Sequence, residues 1–565
     1  MSDDVGPIIL STNKRKAIIL IKKNQHVTLS GCCDVACLFG EIFIHGFYIN
    51  SKNSSFKRLY PVVSYTTSLL HTVIVNRGNR KIEGDDLENV KQSLLVNFPL
   101  INEQLKKCPI FSAIIYLSDV STPTIQMMKY YYSNCLKNFD HLKSTRLFKH
   151  LHILSNDIHA KSSILYNFEI ENNILNRKNF KLYDKEPFKI ITIGDKNSGK
   201  STINRFVANS YLSQGICDVL WLDLDIGQPE FTTSGFMSLT HVKEPIFTPP
   251  PFHMKFEEGK VLFVGDFNMV SLHRRYITIL QELLRKLYSV LNDNKKYIVI
   301  INTMGYITEK GKILLDEIIS ILQPNLFIMC SKSENLEYSN DLAVDKNTIK
   351  VLSNFNDNSI QNPGQVRQSN VIDNGKNARS MRVVGYMSNI FSSFPRTIFS
   401  PIPSLWPVHV LKMKNLLLFN EPELPYIEES KFKEAFEVTM VALCNFIDGN
   451  ENGFNKVPFQ DSNLPTPLII QFRGLVMKLS YRLTNLECYG VGIITNIDMV
   501  NKTISICSPV ESHIIFNKVR ILARGRGLQI PSVILDGKHD YNDDGYHSLR
   551  TSNRRWGIFN LNITR

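Results

Sequence analysis

The sequence has 565 residues, of which 43% are hydrophobic and 21% are charged. At roughly 150 residues per domain, this length predicts three or four domains, and the composition excludes a chain that is disordered throughout. No apolar run reaches the ~18 residues that cross a bilayer, and the acidic start Met1–Asp4 differs from a secretory signal. We therefore expect a soluble, intracellular protein with no membrane partner.

The charge balance favours basic residues, with 65 Lys and Arg against 52 Asp and Glu, which gives a net charge of +13. Such an excess suits a polyanionic partner, because basic side chains that neutralise phosphates release counterions. A basic surface that only keeps the protein soluble explains the charge equally well. The ten cysteines form no C-x-x-C pair, so neither a zinc ribbon nor a disulfide framework is predicted.

Residues 1–185 predict a β-rich domain with some helices. The apolar run Ile18–Ile21 and the alternating, glycine-punctuated stretch Val35–Tyr48 predict strands, whereas Leu87–Leu105 and Ile125–Leu147 have helical spacing. Three consecutive tyrosines, 130 to 132, lie among basic residues. They either stack on bases or pack a helix onto a core.

Residues 186–398 alternate between short apolar strands and amphipathic helices, which is typical of a parallel sheet covered on both faces. Helical spacing is present from Tyr276 to Leu291 and from Glu309 to Leu322. The polar stretch Asn354–Asn377 predicts a long loop of the kind that forms lids. The predicted strands are Phe188–Ile193, Val219–Asp223, Val261–Val264, Tyr297–Asn302, Leu326–Cys330 and Arg382–Tyr386.

Prolines 401, 403 and 407 mark a boundary, and residues 399–535 show the strand-like alternation of a second β-rich domain. Residues 536–565 are polar and basic and predict a tail. The predicted fold class is therefore α/β, with a central domain built on a parallel sheet and flanked by N-terminal and C-terminal β-rich domains.

The most specific motif lies between the strand Phe188–Ile193 and a helix-compatible segment. It matches G-x-x-x-x-G-K-[ST], the phosphate-binding P-loop, and comprises Gly194, Asp195, Lys196, Asn197, Ser198, Gly199, Lys200, Ser201 and Thr202. In such a loop the backbone N–H groups surround the phosphates, the lysine contacts the β- and γ-phosphates, and the hydroxyl of Ser201 would bind Mg²⁺. The central domain is therefore predicted to bind ATP and Mg²⁺.

Two aspartates, Asp223 and Asp225, leave the carboxyl end of the next predicted strand, at the edge where open α/β sheets bind ligands. By strand periodicity we expect their side chains to share a face. One carboxylate can support the metal shell, and the other can accept a proton from an attacking hydroxyl. An ATPase in which both only organise Mg²⁺ and water fits this pattern equally well.

These segments together resemble the polynucleotide 5′-hydroxyl kinases of RNA processing. The resemblance continues through Gln228–Thr232 and prolines 249 to 251. Thr303–Tyr306 (TMGY) is similar to the family's clasp motif, Thr-x-Gly-Trp, with Tyr in place of Trp. Arg379–Arg382 (RSMR) is similar to the family's lid motif, Arg-x-x-Arg. Looser similarity in the flanking regions favours the nucleolar pre-rRNA-processing branch.

The resemblance implies a role for each matching residue. Asp223 would support the metal shell with Ser201, and Asp225 would orient or deprotonate the RNA 5′-hydroxyl. Lys200 and the lid residues Arg379 and Arg382 would stabilise the transferring charge, for which the arginine fork is suited. The residues implied at the RNA substrate are Gln228, Thr303, Gly305 and Tyr306, whose ring still allows base stacking.

Two further basic residues, His273 and Arg275, follow the third predicted strand of the central domain. If they face the cleft, they contact RNA phosphates. If they begin an exposed helix, they form a charged first turn, and the sequence leaves both interpretations open.

The resemblance implies an ATP-dependent polynucleotide 5′-hydroxyl kinase that phosphorylates 5′-hydroxyl RNA ends in pre-rRNA spacer processing, in the nucleus and nucleolus. It also implies a HEPN-type endoribonuclease partner in a higher-order complex. The alternatives are an ATP-binding scaffold without catalysis, the mRNA 3′-end and tRNA-splicing branch of the same kinase family, and a small-metabolite kinase.

Overall fold

The computed structural model describes residues 7–13, 15–23, 25–64, 71–75, 87–97, 112–132, 144–148, 151–154, 186–268, 272–307, 309–331, 348–352, 375–392, 399–420, 427–447, 469–470 and 485–536. The predicted tail and most of the predicted loop 354–377 lie outside these ranges. Within the described ranges, none of the helices has the length and apolar character that a membrane span requires.

The N-terminal region forms a sheet around the long strand β3, which pairs antiparallel with β6, β7, β8 and β10. Two helices accompany it, α1 (Leu87–Asn97) and α2 (Pro123–Tyr131). Tyr131 and Tyr132 are buried, so these two tyrosines pack a helix onto the core. The strands are β1 (Ile8–Asn13), β2 (Lys16–Ile21), β3 (His26–Phe39), β4 (Glu41–Ile44), β5 (Phe47–Asn50), β6 (Tyr60–Val63), β7 (His71–Val75), β8 (Ala113–Ser118), β9 (Ser144–Phe148) and β10 (Leu151–Leu154).

The central region is built on a second sheet, whose parallel part has the strand order β17-β16-β11-β15-β12. Two antiparallel strands, β13 and β14, continue it, so the sheet is mixed and not wholly parallel as predicted. The strands are β11 (Phe188–Gly194), β12 (Asp218–Asp223), β13 (Phe236–Val242), β14 (Val261–Phe263), β15 (Tyr297–Asn302), β16 (Leu326–Ser331) and β17 (Thr348–Leu352).

Three helices cover the two faces of this sheet: α3 (Lys200–Gln214), α4 (His273–Val290) and α5 (Glu309–Leu322). The apolar stripes of α4 and α5 pack on one face, with side chains such as Leu280 and Ile318 against Leu222 and Ile301. On the other face α3 packs on the sheet and also meets the N-terminal hairpin, where Asn209 donates a hydrogen bond to the carbonyl of His45 (2.9 Å). The helical spacing predicted for α4 and α5 is therefore confirmed.

The predicted strand Arg382–Tyr386 is wrong, because these residues belong to a helix, α6 (Gly375–Ser388). Every residue from Met381 to Ser388 is buried, since α6 passes between other parts of the fold. The hydroxyl groups of Ser388 and Thr124 lie 2.8 Å apart, and the backbone of Gly385 packs closely on Pro251. A helix that is buried on all sides has no polar face, and a short apolar run then looks like a strand.

The C-terminal strands extend the central sheet, because β22 pairs with β14 at Leu262 and Glu487. The predicted domain division at 398/399 stays a prediction, with one sheet shared across it. The strands are β18 (His409–Lys412), β19 (Leu417–Asn420), β20 (Thr439–Phe446), β21 (Ile469–Ile470), β22 (Leu486–Asp498), β23 (Thr503–Cys507) and β24 (Ile521–Arg524). The helices are α7 (Phe432–Phe436), α8 (Ser512–Asn517) and α9 (Ser532–Asp536).

Candidate active site

The P-loop connects β11 to α3 at the carboxyl edge of the parallel strands. Gly199 has a φ of 87° and directly precedes the first helical residue, Lys200. This left-handed conformation suits glycine, and it turns the chain so that the first N–H groups of α3 are free to face a ligand. An anion bound there would also be stabilised by the helix dipole.

Two side chains of the loop fit a phosphate ligand. The Lys200 ammonium group folds back along the loop and donates to the carbonyls of Gly194 (2.8 Å) and Asp195 (2.7 Å). Ser198 is fully buried, and its hydroxyl group has no hydrogen-bond partner within the described residues. A buried hydroxyl without a partner carries an energetic cost that a bound oxygen ligand would remove.

Asp223 ends β12 and is fully buried within a polar network. Its Oδ1 accepts a hydrogen bond from the Asn302 side chain (2.9 Å), and its Oδ2 accepts one from the N–H of Glu230 (2.6 Å). Burial raises the pKa of this carboxyl group to about 7, although both hydrogen bonds oppose the shift. A cation at Asp223 would favour its charged form, which suits a metal-supporting role.

Asp225 lies beyond the end of β12, so it does not share a strand face with Asp223 as predicted. Its Oδ1 accepts hydrogen bonds from the N–H groups of Gly227 and Gln228, both at 3.0 Å. Within the described residues its Oδ2 accepts none. The turn therefore fixes the carboxylate through one oxygen and leaves the other available for a substrate.

A buried ion-pair network, not predicted from the sequence, supports Asp223. Arg205 of α3 donates from Nε to Glu230 Oε1 (2.6 Å), and His253 Nε2 lies 3.0 Å from the same oxygen. Burial alone would raise the pKa of Glu230, but Arg205 and His253 outweigh it and lower the pKa to about 2. Because the N–H of Glu230 holds Asp223, this network fixes the loop after β12.

Helix α6 closes the site from the opposite side. Arg382 is buried and donates from Nε to the carbonyl of Pro229 (3.0 Å), where burial lowers its pKa and the carboxylates of Glu230 and Asp225 oppose that shift. Arg379 is half-buried, and its guanidinium carbon lies 4.4 Å from the ring centroid of Phe267. One arginine of the predicted lid is therefore a structural anchor, and the other lies at the surface of the cleft.

The P-loop, the turn after β12 and α6 converge at Gly375. A Cβ atom at this glycine would lie 3.2 Å from Gln228 Nε2 and 3.4 Å from both Arg379 Nη1 and Lys196 Nζ. These three nitrogen atoms are hydrogen-bond donors from three separate segments. Such a group of donors, two of them on basic side chains, suits an anion, and a phosphate group matches their charge.

The clasp segment also reaches the P-loop. A Cβ atom at Gly305 would lie 2.8 Å from the Cα atom of Lys196, so only glycine permits this approach. The P-loop, the clasp, the turn with Asp225 and α6 thus meet at one place, which we call the crevice, with Asp223 buried behind it. The arrangement suits transfer of a phosphoryl group from a nucleotide.

Two comparisons describe the likeness of the central region to known proteins. Residues 194–387 match the family model described as the P-loop of the mRNA cleavage and polyadenylation factor CLP1. Among solved structures, a chain of the wild-type Clp1p–Pcf11p complex aligns with 91% of this chain and 98% of its own length, at 13% identity and a TM-score of 0.49.

Curated proteins are also similar to this chain, two of them over most of its length. The polynucleotide 5′-hydroxyl-kinase nol-9 of Caenorhabditis elegans is 25% identical over 91% of this chain and 89% of its own length. The human polynucleotide 5′-hydroxyl-kinase NOL9 is 21% identical over 89% of this chain and 73% of its own length. The polynucleotide 5′-hydroxyl-kinase GRC3 of Debaryomyces hansenii is 27% identical over 47% of this chain and 36% of its own length. The chain is similar over most of its length to polynucleotide 5′-hydroxyl kinases. The family predicted from the motifs is confirmed, and the NOL9 and GRC3 relatives support the predicted branch.

The kinase holds the predicted substrate residues in different environments. Tyr306 is 36% exposed and can offer its ring to a base, whereas Thr303 is fully buried and donates to the carbonyl of Thr192 (2.6 Å). His273 lies on α4 with its Nε2 2.6 Å from Glu317 of α5. Arg275 is 3% exposed and donates to the carbonyls of Val264 (3.0 Å) and Phe263 (2.8 Å).

Arg275 therefore belongs to the interior of the kinase and not to the cleft surface that the sequence analysis considered. The reason is its position on the buried face of α4, where its guanidinium group also lies over the Phe419 ring (5.8 Å). Thr303 supports the clasp from behind, because its hydroxyl group ties the clasp to β11. Of the predicted RNA contacts, Gln228 and Gly305 lie near Lys196 of the P-loop, and the Tyr306 ring lies against Gly311 of α5.

Several functional residues of the kinase escaped the sequence analysis. Asn302 and Asn204 connect Asp223 to β11. Asn204 Nδ2 donates a hydrogen bond to Asn302 Oδ1 (3.3 Å), and Thr192 Oγ1 of β11 donates one to Asn204 Oδ1 (2.5 Å). Asn302 ends a strand beside Asp223, which is a signal that strand alignment could have found. Phe267 carries no motif, and its role depends on a contact with α6 that is remote in sequence.

Proposed function

We propose that this chain, a kinase by family, transfers the γ-phosphoryl group of ATP to the 5′-hydroxyl group of an RNA end. The convergence of Lys196, Gln228 and Arg379 around Gly375, next to the turn that Asp225 organises, carries the proposal. It supplies cationic and amide donors for a phosphate group and a carboxylate for a hydroxyl group. A site that only bound ATP would have no use for the second feature.

The chemistry follows from positioning and charge. Lys200, with the N–H groups at the start of α3, binds the β- and γ-phosphates, and Arg379 moves onto the transferring group. Asp225 accepts the hydrogen bond of the 5′-hydroxyl group through Oδ2 and takes its proton as the new P–O bond forms, while the bond from the γ-phosphorus to the bridging oxygen breaks and ADP leaves. Ser201 and Asp223 would hold Mg²⁺, which neutralises phosphate charge when bound.

The remaining residues orient the substrate. Tyr306 stacks on the terminal base, and Gly305 lets the clasp lie against the P-loop. Arg382 fixes the Gln228–Pro229 backbone, so that the Gln228 side chain lies beside the path of the RNA. His273 is the least favoured candidate for a phosphate contact, because its Nε2 is already paired with Glu317 of α5.

The biological role that we propose is 5′-end phosphorylation in pre-rRNA spacer processing, in the nucleus and nucleolus. The relatives named NOL9 and GRC3 support it. The proposed partner is a HEPN-type endoribonuclease that leaves 5′-hydroxyl ends, within a higher-order complex. The proposed architecture is a central kinase domain between two β-rich flanking domains.

Transfer of labelled γ-phosphate to a short 5′-hydroxyl RNA tests the activity, with a matching DNA strand as a second acceptor. We expect transfer by the wild type and its loss in Asp225→Asn. The matched control is Asp218→Asn, at the opposite end of the same strand, which should keep full activity. A wild type that binds ATP but transfers nothing, even with its endoribonuclease present, would contradict the proposal and favour a scaffold.

A further inference from the structure

The loop after β14 carries an aspartate that organises its own turn. Asp266 is 1% exposed, and its Oδ1 accepts hydrogen bonds from the N–H groups of Phe267 (2.7 Å) and Asn268 (3.1 Å). A short polar side chain that caps the following N–H groups fixes the backbone of a turn. The position of the Phe267 ring is therefore set by Asp266.

The Phe267 ring is the platform on which Arg379 lies, at 4.4 Å from the guanidinium carbon. In the part of the chain that the structure describes, the Arg379 guanidinium group makes no ion pair. Stacking on a ring orients a guanidinium group while its N–H donors stay free for a phosphate. Burial lowers the pKa of Arg379, which agrees with a partly desolvated group held against an apolar surface.

The rest of α6 is held independently of Phe267. Arg382 donates to the carbonyl of Pro229, and the Tyr386 hydroxyl group accepts a hydrogen bond from the N–H of Val491 (3.1 Å). The helix axis is thus fixed from its second half onward. The contact with Phe267 additionally orients the Arg379 side chain.

The C-terminal region reaches the same loop. Arg526 donates to Asp266 Oδ2, and the N–H of Gly527 donates to the carbonyl of Gly265 (2.8 Å). A Cβ atom at Gly525 would lie 2.2 Å from that carbonyl oxygen, so the two backbones are in direct contact. The segment after β24 therefore supports the turn that presents Phe267.

We propose that Phe267 is a positioning residue for Arg379 and that Arg526, through Asp266, lets the C-terminal region set that position. The inference rests on the proposed function and adds to it a physical connection from Arg526 to the transferring phosphate. A change at the C-terminal region can then alter the rate of transfer without touching the nucleotide or the RNA.

Substitution of the ring tests the first half of the proposal. Phe267→Leu keeps an apolar side chain but removes the π face, and we expect kcat to fall about 10-fold, from a cation–π contact of about 1.4 kcal/mol, with KM unchanged. Phe267→Tyr should retain wild-type kcat. In an Arg379→Ala background, Phe267→Leu should cause no further loss, and an equal loss in both backgrounds would overturn the proposal.

A readout other than activity separates this inference from the proposed function. The ring current of Phe267 should shift the NMR signal of the Arg379 Nε–H group, which Arg379→Lys identifies by its disappearance. We expect that shift to be lost in Phe267→Leu and kept in Phe267→Tyr. If the wild type transfers no phosphate, the proposed function fails, whereas an unshifted Arg379 signal overturns the positioning role alone.

The second half is tested at the C-terminal region. Arg526→Gln should lower kcat and alter the Arg379 signal, and it should add little to Phe267→Leu because both act through one contact. Lys518→Gln is the matched control, since Lys518 pairs with Glu258 across the same part of the fold but away from the loop. Equal effects of Arg526→Gln and Lys518→Gln, or none from either, would overturn the connection.

Discussion

The crevice has two walls that are built in different ways. The phosphate wall is one contiguous segment, Gly194–Thr202, on the end of a parallel strand, and it works largely through backbone N–H groups. The closing wall combines Phe267, Arg379 and Arg526 from three distant segments and works through side chains. Phosphate binding is thus encoded locally, whereas closure over the phosphate depends on packing between remote parts of the chain.

The largest expected loss is on the phosphate wall. Lys200→Ala removes the ammonium group that contacts the β- and γ-phosphates, and we expect kcat for transfer to fall about 1,000-fold or more. The free energy of unfolding should change little, because the ammonium group of Lys200 donates to two carbonyls of its own loop. Steady-state kinetics with parallel thermal unfolding checks both statements, and a variant with near-normal kcat would contradict them.

On the closing wall, two arginines one turn apart should behave differently. Arg379→Ala should lower kcat about 1,000-fold, as for an arginine that neutralises a transferring phosphate, and leave stability unchanged. Arg382→Ala should lower the free energy of unfolding by about 3 kcal/mol, because it breaks buried, charge-assisted hydrogen bonds to the backbone. Denaturant titration with the kinase assay distinguishes them, and equal stabilities would contradict the assignment.

The buried ion pair between Arg205 and Glu230 should contribute to the free energy of unfolding. Glu230→Gln leaves Arg205 without its charged partner, and we expect the free energy of unfolding to fall by about 3 kcal/mol at neutral pH. The pKa of Glu230 is lowered to about 2, so its contribution is complete above about 4.5 and is lost as the pH falls through 2.

The difference between Glu230→Gln and wild type should therefore shrink in denaturant titrations below pH 4.5. Glu244→Gln is the matched control, since Glu244 forms an exposed pair with Arg58 and should cost less than about 0.5 kcal/mol. Equal effects of the two substitutions would show that the buried network does not support the site.

The smallest expected effect concerns the clasp. Tyr306→Ala should raise the KM for a short RNA about 10-fold through lost stacking, with little change in the KM for ATP. Tyr306→Trp should lower the RNA KM severalfold, because a larger ring stacks more strongly. An unchanged RNA KM in both variants would place the terminal base elsewhere.

The comparison of the walls also explains what the sequence could predict. The P-loop, the strand ends at Asp223 and Asn302 and the helices α4 and α5 follow from local patterns, and the structure contains them. Helix α6 was predicted as a strand, since its buried surroundings remove the polar face that identifies a helix. The buried position of Arg275 was not among the two interpretations considered, because a sequence does not show which side of α4 faces inward.

Phe267 and Arg526 could not be found from local patterns at all. Each has a function only through a contact made across the fold, one with Arg379 and the other with Asp266. The same holds for Arg205, whose partner Glu230 lies in the next loop of the sheet. Residues of this kind can be identified only in the folded structure, in which the distant segments are in contact.

A crystal structure with a non-hydrolysable ATP analogue, Mg²⁺ and a short 5′-hydroxyl RNA tests the two-walled crevice most directly. We predict the 5′-hydroxyl group within hydrogen-bond distance of Asp225 Oδ2, with Lys200 and Arg379 on the γ-phosphate and Phe267 still beneath Arg379. An RNA end bound away from Asp225, or an Arg379 side chain that points out of the crevice in the full complex, would contradict the account.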